Sequence, residues 1–269
     1  MILIALPMLI HASFLPHSPL LLKEVHPERY GELEKTHKAI ETLRHDLYAL
    51  QPDTLCIISG HGERCAEAFS IDLAPEYRTD MKPFGDLSEP TTHVPAAKLI
   101  DRLQRHLRKE DISFTLSTNE TLEYGTAVVL RLLGSQFQDV QIIPLAYSDA
   151  EAKEHAQFGK ALRDVLDEAS ERVAVIATGD LSHCLSSEAP GGFCKEGQMF
   201  DDAVVRAVQQ GSLSNLLSIP KEIVLHAQES GYHPLLILYG LLDTRLSTAE
   251  VLSYEHPFGV GYLVAQFRL

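Results

Sequence analysis

The chain has 269 residues, 45% of them hydrophobic and 22% charged, which excludes a disordered or fibrous protein and fits a compact globular one. With 23 basic against 37 acidic residues its formal charge is −14, which argues against polyanionic partners, whether nucleic acid or an anionic membrane surface. Four cysteines without a C-x-x-C pair, in a chain long enough to build its own core, need no disulfide and fit a reducing cytoplasm.

The opening MILIALPMLI is apolar, lacks a basic flank and is too short to span a bilayer, so a buried strand is expected there. Over 28–50, Leu33, Ile40, Leu43, Leu47 and Leu50 recur at helical spacing among charges, and TLCIIS at 54–59 reads as a buried strand ending at Gly60. Residues 72–93 hold three prolines and little periodicity and are expected as a long loop, which in a compact domain is often functional. The pattern then alternates: helix 95–109, strand 112–117, helix 124–134, strand 140–147, helix 149–169, strand 172–178. From 196 to 243 it turns helical, with an all-round apolar stretch in LLILYGLL, before two strands at 248–255 and 260–267. No Pro/Gly/Ser-rich linker or fixed-period repeat interrupts this, so the expectation is one α/β domain over 1–269: a central, mostly parallel or mixed sheet flanked by helices on both faces.

His17, His61 and His183 all stand where predicted strands stop, and the carboxyl ends of strands in an open α/β sheet converge on one crevice. Prolines on both sides of His17, in Pro16-His17-Ser18-Pro19, limit the entropy lost when the ring is fixed on a metal, although a lone loop histidine more often merely packs. Glycines flank His61 in Ser59-Gly60-His61-Gly62-Glu63, permitting close approach to a bound group or an ordinary turn. In Thr178-Gly179-Asp180-Leu181-Ser182-His183 a histidine can move protons, with Asp180 or Ser182 fixing its tautomer; Asp180 also suits a helix N-cap. Glu229 and His233 precede the apolar helix, where Glu229 reads either as a metal ligand or as a capping carboxylate. Two histidines and a carboxylate from separate loops make the facial triad of non-heme Fe(II), with Zn(II) as the rival metal.

These residues resemble the class III extradiol dioxygenases, the LigB-like superfamily that includes the catalytic subunit of protocatechuate 4,5-dioxygenase and the Memo proteins. The resemblance spans nearly the whole chain and rests on PHSP at 16–19, SGHGE at 59–63, EYGT at 123–126, TGDLSH at 178–183, APGGFCKEGQMFD at 189–201, ESGYHPLLILYGLL at 229–242 and SYEHPFGVGY at 253–262. It implies Fe(II) held by His17, His61 and Glu229, His183 as the acid/base, a small aromatic substrate, O2 as co-substrate, and a homodimer. Two departures stand out. Ring-cleaving members read Asp-His-Gly where this chain has Glu123-Tyr124-Gly125, and Memo-like members, a branch found beside radical-SAM proteins, place a cysteine at Ser230. Tyr124 can donate a hydrogen bond but does not titrate near neutrality.

Overall fold

The computed structural model describes residues 8–62, 65–243 and 246–269. The strand expected over 1–10 therefore lies mostly outside the described residues, and the strand seen, β1 (Leu9–Leu15), runs further along the chain. After it come α1 (Glu34–Leu50), β2 (Thr54–Ser59), β3 (Phe69–Asp72), β4 (Tyr77–Thr79), β5 (Thr91–His93), α2 (Ala97–Lys109), β6 (Phe114–Ser117), α3 (Tyr124–Leu133), β7 (Gln141–Ala146), α4 (Ala152–Asp167) and β8 (Val173–Thr178). The carboxyl-terminal third adds α5 (Lys195–Gln209), α6 (Leu213–Leu217), α7 (Lys221–Ala227), α8 (Tyr232–Leu242), β9 (Thr248–Glu255) and β10 (Tyr262–Arg268).

Among the described residues, eight strands form one mixed sheet in the order β6-β3-β7-β2-β8-β1-β10-β9. Its centre, β7-β2-β8-β1, is parallel, and β10 and β9 continue one edge antiparallel. The central strands are apolar throughout because both faces are covered. Successive residues accordingly enter opposite cores: Cys56 and Ile58 pack on the side of α2, α4, α5 and α8, whereas Leu55 and Ile57 pack on the side of α1 and α3. The expected single α/β layout with helices on both faces is what the chain adopts.

The segment 72–93 is less irregular than its prolines suggest, since β4 and β5 pair antiparallel as a small separate sheet. Its Pro83 and Pro90 stand outside those strands, where no ladder donor is lost. Helices α4 and α8 lie unusually close: a side chain at Gly159 would meet the Ile237 carbonyl, and one at Gly240 the Ala156 carbonyl. The amino-terminal end of α8 meets the sheet through a second close approach, where a side chain at Gly179 would strike Gly231. Among the described residues, no helix is long and apolar enough to cross a membrane.

Candidate metal and acid/base site

Three neighbouring parallel strands, in the order β2-β8-β1, each deliver a side chain two residues past their carboxyl ends: His61, Asp180 and His17. Of the three histidines expected at strand ends, His17 and His61 stand there, while the third position is taken by Asp180 and His183 lies five residues past β8. His17 Nε2 and His61 Nε2 lie 3.0 Å apart. Ser230 Oγ is 3.1 Å from His17 Nε2, and the Tyr124 hydroxyl is 2.5 Å from His61 Nε2.

His17 is fully enclosed, and burial, then the neighbouring His61 and His183, hold its pKa well below the usual imidazole range. It is a neutral ring with a lone pair to offer. Two nitrogens each about 2.1 Å from one ion, at right angles, lie about 3.0 Å apart, so the spacing of the pair suits adjacent ligands of a six-coordinate ion. The third ligand is less plain. Glu229 caps α8 by accepting a hydrogen bond of 2.5 Å from Tyr232 N, whereas its neighbour Ser230 faces His17. Among the described residues, no group of three or more His, Cys, Asp or Glu side chains is placed to hold a metal. The histidine pair therefore suits a divalent ion at two positions, and the side chain that the 228–230 segment turns toward it is Ser230.

Asp180 links the pair to the acid/base region. Its Oδ1 accepts from His17 N at 3.1 Å, its N–H donates to Ser230 Oγ at 3.0 Å, and its Oδ2 lies 3.9 Å from His183 Nε2. Burial pushes its pKa up to about 7, against the lowering effect of the His17 and Ser18 backbone donors. Burial also lowers that of His183. Near neutrality the proton of this couple is therefore shifted toward the carboxyl, leaving His183 able to accept one. Asp180 is not the helix N-cap the sequence also allowed, since α5 begins only at Lys195.

Gly125 lets this arrangement close. A side chain there would press on Ser59 Oγ at 2.7 Å, His17 Nδ1 at 2.9 Å and Glu123 Oε2 at 3.0 Å. Glu123 itself caps α3, accepting from Gly125 N and Thr126 N at 2.6 Å each, and burial raises its pKa.

Two cavities flank the site. One of about 350 Å³ is walled by Tyr124, Asp180, His183, Phe258 and Tyr262, with Arg29 at its rim 4.3 Å above the Phe258 ring. The other, about 540 Å³, is lined by Tyr147, Glu229, Tyr232 and His233; His233 stacks on Tyr147 with ring centroids 4.8 Å apart. His233 thus belongs to the second cavity wall.

Two features escaped sequence reasoning. Asp201, fully buried in α5, accepts from Ser182 N at 2.9 Å and from the Tyr254 hydroxyl at 2.7 Å, pinning the loop between Asp180 and His183. Its signal was a carboxylate beside Phe200 on the helix's apolar face, where Val204, Ala207 and Val208 follow. Cys184 and Cys194, expected to stay unpaired, form a disulfide. The turn at Pro190-Gly191-Gly192 and the Leu185 to Phe193 bridge fold the loop back on itself, so residues ten apart in sequence meet.

A family model described as the catalytic LigB subunit of aromatic ring-opening dioxygenase matches residues 11–265. Protein CA_C1420 of Clostridium acetobutylicum is 27% identical over 263 residues, covering 94% of this chain but 56% of that protein, so the chain spans little more than half its relative's length. The crystal structure of uncharacterized protein JW3007 from Escherichia coli K12 superposes with a TM-score of 0.64 at 18% identity, covering 96% of this chain and 99% of the other, a likeness of fold.

Proposed function

Because the chain belongs to the LigB family, we propose that it is a non-heme Fe(II)-dependent oxidoreductase of the extradiol type, acting with O2 on a small catecholic or related aromatic substrate. The observation that carries this reading is the 3.0 Å approach of His17 Nε2 to His61 Nε2 at the mouth of the sheet. His17 and His61 would hold the ion, and Glu229, now accepting from Tyr232 N, would supply the anionic third ligand. When bound, Fe(II) supplies positions at which a diol and O2 can meet and a Lewis acid that favours the ionised diol.

The chain's own residues do the rest. The cavity beside His183 offers Phe258, Tyr262 and Tyr124 as flat walls for a ring. His183 takes a hydroxyl proton and returns it during ring opening, with the buried Asp180 carboxyl facing its Nε2 from 3.9 Å. Burial raises the pKa of the Tyr124 hydroxyl, so it stays protonated and serves as a hydrogen-bond donor at the edge of the pair.

A second reading, a Memo-like metal-binding or redox protein in a radical-SAM-associated modification pathway and without ring cleavage, is favoured by Ser230 Oγ standing 3.1 Å from His17 Nε2 and by Tyr124 in place of a histidine. Anaerobic loading with Fe(II), followed by oxygen uptake and absorbance of a yellow ring-fission product across a catechol panel, separates the two. Uptake with a coloured product supports the first reading; stoichiometric iron with no uptake on any diol leaves the second.

A further inference from the structure

The proposed chemistry makes no use of the sulfur pair that adjoins it. Cys184 follows His183 directly, is fully buried and is bonded to the partly exposed Cys194. Between them, Ser186, Glu188 and Pro190 line the same cavity as His183, and Gly191 N donates to the His183 carbonyl at 2.9 Å. Both sulfurs also lie against one acceptor, the His226 carbonyl, at 3.3 Å and 3.2 Å. That carbonyl opens the 226–230 segment, whose Ala227 carbonyl accepts from His183 N at 3.0 Å and which carries Glu229 and Ser230.

We propose that Cys184 and Cys194 are a reversible thiol/disulfide pair whose state sets how tightly the 185–193 loop walls the His183 cavity. The two states differ in how they bind the 226–230 segment and the loop. In the dithiol form both S–H groups can donate to the His226 carbonyl; in the disulfide form that acceptor loses both donors and the loop gains a covalent closure. A chain this long does not need the bond for its core, which leaves the pair free to respond to its redox surroundings.

Oxidation proceeds by exchange with a low-molecular-weight disulfide. The accessible Cys194 thiolate attacks one external sulfur and expels a thiol; the Cys184 thiolate then displaces the second thiol as the internal S–S bond forms. Two protons and two electrons leave the cysteines, and the external disulfide is reduced to two thiols.

The test needs neither metal nor turnover, so it stands apart from the reading of the site as an oxygenase. The full chain is equilibrated in buffers of varied reduced-to-oxidised glutathione ratio, alkylated with N-ethylmaleimide and read by intact mass and non-reducing peptide mapping. The expected result is loss of two alkylation equivalents together, mapped to Cys184 and Cys194, reversed by excess reductant and abolished in Cys194→Ser. Hydrogen exchange over 185–193 should be several-fold slower in the oxidised protein. Full alkylation of both at every ratio, glutathione retained on Cys194 alone, a bond that excess reductant does not open, or identical exchange in the two states would each overturn the proposal.

Discussion

At the residue scale the site turns on which histidines face an ion and which face a proton. His17 and His61 present Nε2 atoms to each other, whereas His183 presents Nε2 to a carboxylate. His17→Ala and His61→Ala should each lower Fe(II) affinity at least about tenfold, the lower end expected even for a supporting partner, while far-ultraviolet circular dichroism stays unchanged. His183→Ala should keep stoichiometric iron yet lose about a hundredfold or more in turnover, the usual worth of a general acid/base. Equal iron content in all three variants would remove the histidine pair from the metal site. A different histidine governs acid stability. His11 is buried in β1 and its pKa is lowered to about 4 by desolvation, partly opposed by Asp46. Below pH 6.5 the unfolded chain takes up a proton there that the native state refuses until about pH 4, so this group's contribution to stability falls across that window as pH drops. The loss is about 3 kcal/mol. Urea midpoints measured from pH 7 to pH 4 should decline less steeply in His11→Gln than in the unaltered chain, and parallel slopes would assign the sensitivity elsewhere.

Elements decide whether those residues meet. The strand ends placing His61 and Asp180 were legible because a buried parallel strand is a short apolar run that stops at a polar or glycine residue, as Thr54–Ser59 does before Gly60 and Val173–Thr178 before Gly179, whereas β1, expected over 1–10, runs on to Leu15 through polar residues His11 and Ser13. The β3 strand was not legible: Phe69–Asp72 is four residues long and too short for a period to show. Nor could the side chain that faces His17 be chosen between Glu229 and Ser230. A one-residue choice depends on the backbone turn at Gln228, which takes φ 52° before α8 starts. The α4 and α8 crossing depends on Gly159 and Gly240, where an added methyl group would strike a backbone carbonyl of the opposite helix. Backbone cannot yield as a side-chain tip can, so Gly159→Ala and Gly240→Ala should each destabilise the fold by about 3 kcal/mol or prevent folding. Because α8 carries Ser230 and Glu229 just before its amino-terminal end, a folded Gly240→Ala protein should also bind Fe(II) more weakly. Denaturation midpoints and iron titrations check both, and wild-type values in the two assays would show that the helices can separate without moving the site.

Across the whole molecule, an ion held by His17 and His61 would join the ends of β1 and β2, strands kept apart by β8. Such a clasp acts on the cooperative sheet, not on a loop alone, and it exists only when the sheet is formed. Ligand that binds the native state and not the unfolded one stabilises it by mass action, about 2.7 kcal/mol at a free concentration one hundredfold above the dissociation constant. For a domain of this size that corresponds to a rise in Tm of about 5 to 10 °C. Differential scanning calorimetry of the chelator-treated chain, repeated with Fe(II) under argon and with Zn(II), should show the rise for the unaltered protein and lose it in His17→Ala. Exposed side chains such as His45 and His256 could also bind metal, and they remain in that variant, so they cannot account for the difference. A shift that survives His17→Ala would place the ion at the surface and detach metal binding from the crevice.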